Sequence, residues 1–188
     1  MEISRETAQE SMRVIEQAVN RTRLARDWGW SDVILMVWGA VWIFAFLGNH
    51  FLPEMAWAFW MIGVSVGILG TVLVNLRMAE RVQSEDSSRI GYFWYSLFLF
   101  VFLEIAVIQP IESIQVNAFI CLQIMLAYVV LGLWVDSKGL IALGGAITFF
   151  VLVGYFLLQP YYYLWMALTG GVTLLGSGIQ ARLRMRRP

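Results

Sequence analysis

Glu104 is the residue best placed to do chemistry: it is the one ionisable side chain lying well inside a long apolar run. It stands six residues before Pro110, about 9 Å along a helix from the turn that the proline marks. Asn117, seven residues after Pro110, should stand at similar depth on the returning helix, with Gln123 deeper still. A carboxyl in an apolar layer is costly as a charge, so it is expected neutral or hydrogen-bonded, with Asn117 or Gln123 the nearest partners by sequence. Glu104, Asn117 and Gln123 are therefore the candidate site for a proton, a cation or a ligand. The competing reading is a neutral carboxyl that fastens two helices together.

Three further groups have spacing that bears on chemistry. Trp38 and Trp42, four residues apart with Leu35 and Ala45 on the same helical face, offer either an aromatic pocket for an apolar or cationic ligand or ordinary core packing. His50, the sole histidine, lies near Glu54 and reads as an external pH-responsive pair. One histidine supplies neither a zinc motif nor a bis-histidine haem site, so no metal and no cofactor is expected. Cys121 is the single cysteine and sits in an apolar run, where a thiol behaves as a small hydrophobe. No phosphate-cradling glycine loop and no nucleophile, base and orienter set appears, so an enzyme is not expected.

The elements that must position these residues follow from composition. The chain of 188 residues is 60% hydrophobic and only 14% charged, with a mean hydropathy of +0.70, too apolar for a soluble domain of this size to cover with polar surface. Six apolar runs, about 32–50, 54–76, 90–109, 113–135, 139–158 and 161–181, each approach the ~20 residues needed to cross a ~30 Å hydrocarbon core. Such runs must be helices, because backbone groups in lipid need partners within their own segment. The expected fold is all-α integral membrane: a cytoplasmic amphipathic helix in 1–30, a six-helix transmembrane domain in 31–181, and a basic tail in 182–188. Thr7 and Glu10 have capping-box spacing ahead of the stripe Ala8, Met12, Ile15, Ala18 and Val19, so residues 2–28 read as a helix that is solvated, docked on the membrane or held by a protein partner.

Pro53, Pro110 and Pro160 each separate two runs and divide the spans into three hairpins. All 13 basic residues fall on the opposite side of the spans from these turns, which predicts both termini in the cytoplasm. Trp57, Trp60 and Trp165 near one surface, with Trp94 and Trp134 near the other, suit an interfacial aromatic belt. The arginines of 182–187 read as an anchor contacting anionic lipid rather than nucleic acid.

Gly63, Gly67 and Gly70 form a small stripe in the second run, and Gly170 and Gly171 lie in the sixth. Such glycines let helices approach closely, either within one chain or in a homo-oligomer. The Pro53 and Pro160 hairpins align without a gap, bringing Gly63 onto Gly170 and Leu76-Arg77-Met78 onto Leu183-Arg184-Met185. Each hairpin starts and ends on the same side, so the repeats have parallel topology.

Gly144-Gly145, Gly154, Gln159-Pro160, Gly170-Gly171 and Gly176-Ser177-Gly178 resemble the short-repeat pattern of the HdeD-like bacterial membrane proteins. The resemblance is best over 139–181. It implies six spans in three hairpins in a bacterial inner membrane, a loose link to acid or general stress, and no catalytic residues. The functional expectation is a non-enzymatic interaction or stress-related membrane component, with the bilayer as its first partner. The alternative is a small-solute, proton or cation transporter or channel using the Glu104 region.

Overall fold

The computed structural model describes residues 32–79, 85–109 and 111–185. The amphipathic segment 2–28, Pro110 and the tail beyond residue 185 lie outside the described residues. Every regular element described is helical. The helices are α1 (Asp32–Phe51), α2 (Ala56–Ala79), α3 (Glu85–Ile108), α4 (Ser113–Trp134), α5 (Lys138–Leu157), α6 (Tyr162–Met166) and α7 (Val172–Met185). Five of them, α1 to α5, are long and apolar enough to cross a membrane. The sixth apolar run is also helical throughout, but in three pieces: α6 and α7 are joined by a π segment, Ala167–Gly171.

Local chemistry accounts for the boundaries. Pro53 opens the 3-10 turn Pro53–Met55 and Pro160 is the second residue of the 3-10 turn Gln159–Tyr161, where a fixed φ and a missing N–H suit the first turn of a helix. α4 starts on a capping box in which the Glu112 N–H donates to Gln115 Oε1 at 3.1 Å. Ser137 caps α5 by accepting from the Leu140 N–H. Between α4 and α5, Asp136 adopts a left-handed φ of 55° and the Ser137 N–H donates to Gly132 O at 2.7 Å, the bond pattern of a Schellman stop. α3 begins at Glu85, five residues before its apolar run, because a helix continues through polar residues once it leaves the apolar layer.

The helices share burial unequally. α1 is central: it packs on α2, α6, the π segment and α7, while α4 and α5 form the other extensive pair. The core lies between these two groups, with Leu35 and Phe46 from α1, Met125 from α4, Ile147 from α5, and Tyr162, Met166 and Leu174 from the last run, all essentially sealed. α2 leans chiefly on α1, and α3 chiefly on α4, and the other described residues leave long apolar faces of both uncovered.

Glycines set the closest approaches. A Cβ built on Gly178 would lie 2.6 Å from the Asp32 carbonyl oxygen, and one on Gly171 would lie 3.0 Å from the Ile43 nitrogen, so α1 and the last run meet backbone to backbone. Gly144 stands equally close to Met125 O across α4 and α5, where a Cβ would lie 2.9 Å away. Gly63, Gly67 and Gly70 rest on Val41, Trp38 and Val37, and Gly170 rests on Trp42. The stripe glycines of both runs therefore approach α1 of their own chain.

Candidate functional site

Glu104 and Gln123 are brought together. Gln123 Nε2 donates to Glu104 Oε2 at 3.0 Å, joining α3 to α4, and both side chains are half-buried. A second contact, Trp94 on α3 edge-on to Tyr128 on α4 at 6.0 Å, fixes the pair as antiparallel. Side chains lean toward the N-terminus of their own helix. In an antiparallel pair Glu104 therefore leans away from the turn while Gln123 leans toward it, and the two long side chains meet between their Cα levels. Asn117 stands nearer the turn and has another use: its Oδ1 accepts from Cys121 Sγ at 3.7 Å, one helical turn along α4.

Cys121 is buried, and beside it lies the hydroxyl of Tyr162, the largest fully buried side chain among the described residues. The two are adjacent but not in hydrogen-bonding geometry, and the Tyr162 hydroxyl has no partner among the described residues. The Tyr162 ring sits edge-on to Phe46 and to Tyr163, and Asn49 lies beside the Tyr163 hydroxyl. Polar atoms of α1, α4 and α6 thus cluster at the end of the core that carries the Pro53 and Pro160 turns. Nothing in the local sequence of Tyr162 marks it as buried rather than interfacial.

Trp38 and Trp42 share a face of α1 but meet different neighbours. Trp38 Nε1 donates to Thr71 Oγ1 on α2 at 3.1 Å. Trp42 is buried against Gly170 and stands edge-on to Phe46 at 5.5 Å. His50 meets rings, Phe51 at 4.9 Å and Tyr161 at 6.5 Å, across the two proline turns, while Glu54 is exposed in the 3-10 turn.

Trp165 is more than a belt residue. Its indole N–H donates to the Phe150 carbonyl on α5 at 2.9 Å, and Gly154 leaves the space in which the ring lies. One turn on, the Thr169 hydroxyl donates to the Trp165 carbonyl at 2.7 Å inside the π segment, where the regular i to i+4 pattern is interrupted. Thr169 and Thr71 are the polar partners that sequence reasoning missed. Each is a threonine inside an apolar run, and that is the signal by which they could have been found.

Among the described residues no three His, Cys, Asp or Glu side chains converge. Comparison with protein-family models, curated proteins and solved structures returns no match to this chain.

Proposed function

We propose that this is a non-enzymatic, six-span component of a bacterial inner membrane that works by interaction within the bilayer, with α3 as the helix held loosely enough to serve partners. The observation that carries the reading is the Gln123–Glu104 bond: the carboxyl group in the apolar layer is engaged as an interhelical fastener between α3 and α4. The sixth span in this reading is the run from Tyr162 to Met185, counted as one despite its π segment.

The orientation belongs to the same proposal. With all 13 basic residues on one side of the spans, both termini are cytoplasmic and the Pro53, Pro110 and Pro160 turns face outward, giving three hairpins of parallel topology. Residues 2–28 then offer a cytoplasmic surface to a partner or to the membrane. The resemblance to HdeD-like proteins supports an inner-membrane location and the link to stress. A reporter fused after Arg187 that is active only outside the cell overturns the orientation.

Transport is the second reading, favoured by one fact: Glu104 and Gln123 are half-buried rather than sealed. Proteoliposomes carrying the full chain separate the two. The interaction reading expects no proton or cation flux above protein-free vesicles, and none that Glu104→Gln changes. A flux that Glu104→Gln abolishes in a folded protein overturns it in favour of transport.

A further inference from the structure

The sealed core holds a set of sulfur side chains in register. Cys121 and Met125 stand one turn apart on one face of α4, and Tyr162 and Met166 stand one turn apart on the last run, all four buried in the same core cluster. Both helices pass antiparallel to α5, as the approaches of Gly132 to Ile141, Gly144 to Met125, and Gly154 and Phe150 to Trp165 show, so they run parallel to each other. The Tyr162 hydroxyl lies beside the Cys121 thiol. Four residues further along each helix, Met125 and Met166 therefore reach a common depth, one turn below the thiol.

A thiol and two thioethers are the soft donors that select Cu(I) over harder cations. The hydrogen bonds around Cys121 point the same way. As a thiol, Cys121 donates to Asn117 Oδ1, and the Tyr162 hydroxyl is left without a partner among the described residues. A metal-bound thiolate has no proton to give and needs donors instead. Tyr162 O–H is such a donor, already buried and already beside the sulfur, and the half-buried Asn117 can offer its amide N–H from the other side.

We propose that Cys121, Met125 and Met166 form a Cu(I) site inside the helix bundle, with Tyr162 as the hydrogen-bond donor that holds the thiolate. On binding, the Cys121 S–H bond breaks, an S–Cu bond forms and the proton leaves to solvent, with no change of oxidation state. Thiolate and Cu(I) together are neutral, so the loaded site carries no net charge into the apolar layer. A divalent ion would leave a positive charge there, and among the described residues no group of three His, Cys, Asp or Glu converges to cancel it.

The test uses the full-length protein in detergent micelles, kept reduced and free of oxygen, with Cu(I) supplied on a coloured chelator against which the protein must compete. The wild-type chain should take up one Cu(I), with an X-ray absorption spectrum that shows sulfur neighbours only. Cys121→Ser, which can still donate to Asn117 but is a hard ligand, should abolish uptake. Met125→Leu and Met166→Leu, which keep the core volume, should each weaken it severalfold, and Tyr162→Phe by about tenfold. Met61→Leu, on an exposed face of α2, should leave it unchanged. Thermal unfolding of the metal-free variants checks that each is folded. A wild-type chain that draws no Cu(I) from the chelator overturns the site, as does uptake that survives Cys121→Ser. Uptake that needs Cys121 but is indifferent to both methionine substitutions overturns it too, because a lone thiol is then all that the ion meets. A wild-type spectrum with nitrogen or oxygen neighbours in place of the thioethers does the same, even where a variant fails to fold.

Discussion

Trp38 on α1 donates its indole N–H to Thr71 Oγ1 on α2 at 3.1 Å, and the Thr71 hydroxyl donates in turn to the Gly67 carbonyl at 2.8 Å. The relay depends on Gly67, where a Cβ would lie only 3.0 to 3.1 Å from the Trp38 ring. Removing the acceptor strands an indole N–H between two helices. Thr71→Val should therefore cost about 1 kcal/mol, and Trp38→Phe combined with it should cost less than the two separately by a coupling of about 1 kcal/mol. Unfolding of the four proteins in mixed micelles measures this; strict additivity would show that the bond contributes nothing.

The glycines divide by what a methyl group would meet. At Gly178 it would meet the backbone of Asp32 and Met36, and at Gly132 the nitrogen of Ile141 at 2.9 Å, whereas Gly145 and Gly176 face open space. Backbone cannot move aside as a side-chain tip can. Gly178→Ala and Gly132→Ala should each destabilise by about 1–3 kcal/mol. Gly145→Ala and Gly176→Ala should be neutral or stabilising by up to about 1 kcal/mol through helix propensity. Thermal unfolding in one detergent ranks all four, and a uniform response would show that these contacts do not set helix spacing.

The helices were legible from length and apolarity, and most ends fell within a few residues of the runs because prolines and capping residues mark them. The π segment was not, since Ala167–Gly171 has the composition of any small-residue helix and its extra residue is absorbed by packing of Gly170 and Gly171 on α1. Glu104 was legible as a residue that needs a partner, but spacing alone could not choose between Asn117 and Gln123. The lean of side chains in an antiparallel pair made that choice. Trp38 and Trp42 show a further limit: i and i+4 share a face, yet a central helix with neighbours on several sides can divide one face between two of them.

Tyr162 carries a hydroxyl that is buried and has no partner among the described residues, while its ring packs edge-on to Phe46 at 6.5 Å and Tyr163 at 5.4 Å. Phenylalanine keeps the ring contacts and removes the unsatisfied group. Tyr162→Phe should leave stability unchanged or raise it by about 1 kcal/mol. A loss of that size, measured in the same micelle unfolding assay, would mean that the hydroxyl is engaged by an internal water or a bound molecule.

α3 is attached through a narrow seam, which makes its tether measurable. Beyond the Gln123–Glu104 bond and the Trp94–Tyr128 contact, its main apolar anchor is Val101, buried to 6% exposure while most of the helix is open. If the bond holds the seam closed, Gln123→Leu should open it. A cysteine placed at Val101 in a Cys121→Ala background should then react severalfold faster with a membrane-permeant maleimide. Glu104→Gln should leave that rate nearly unchanged, because an amide can still accept from Gln123. Equal labelling in all three proteins would mean that apolar packing alone holds α3 and that Glu104 is available for another purpose.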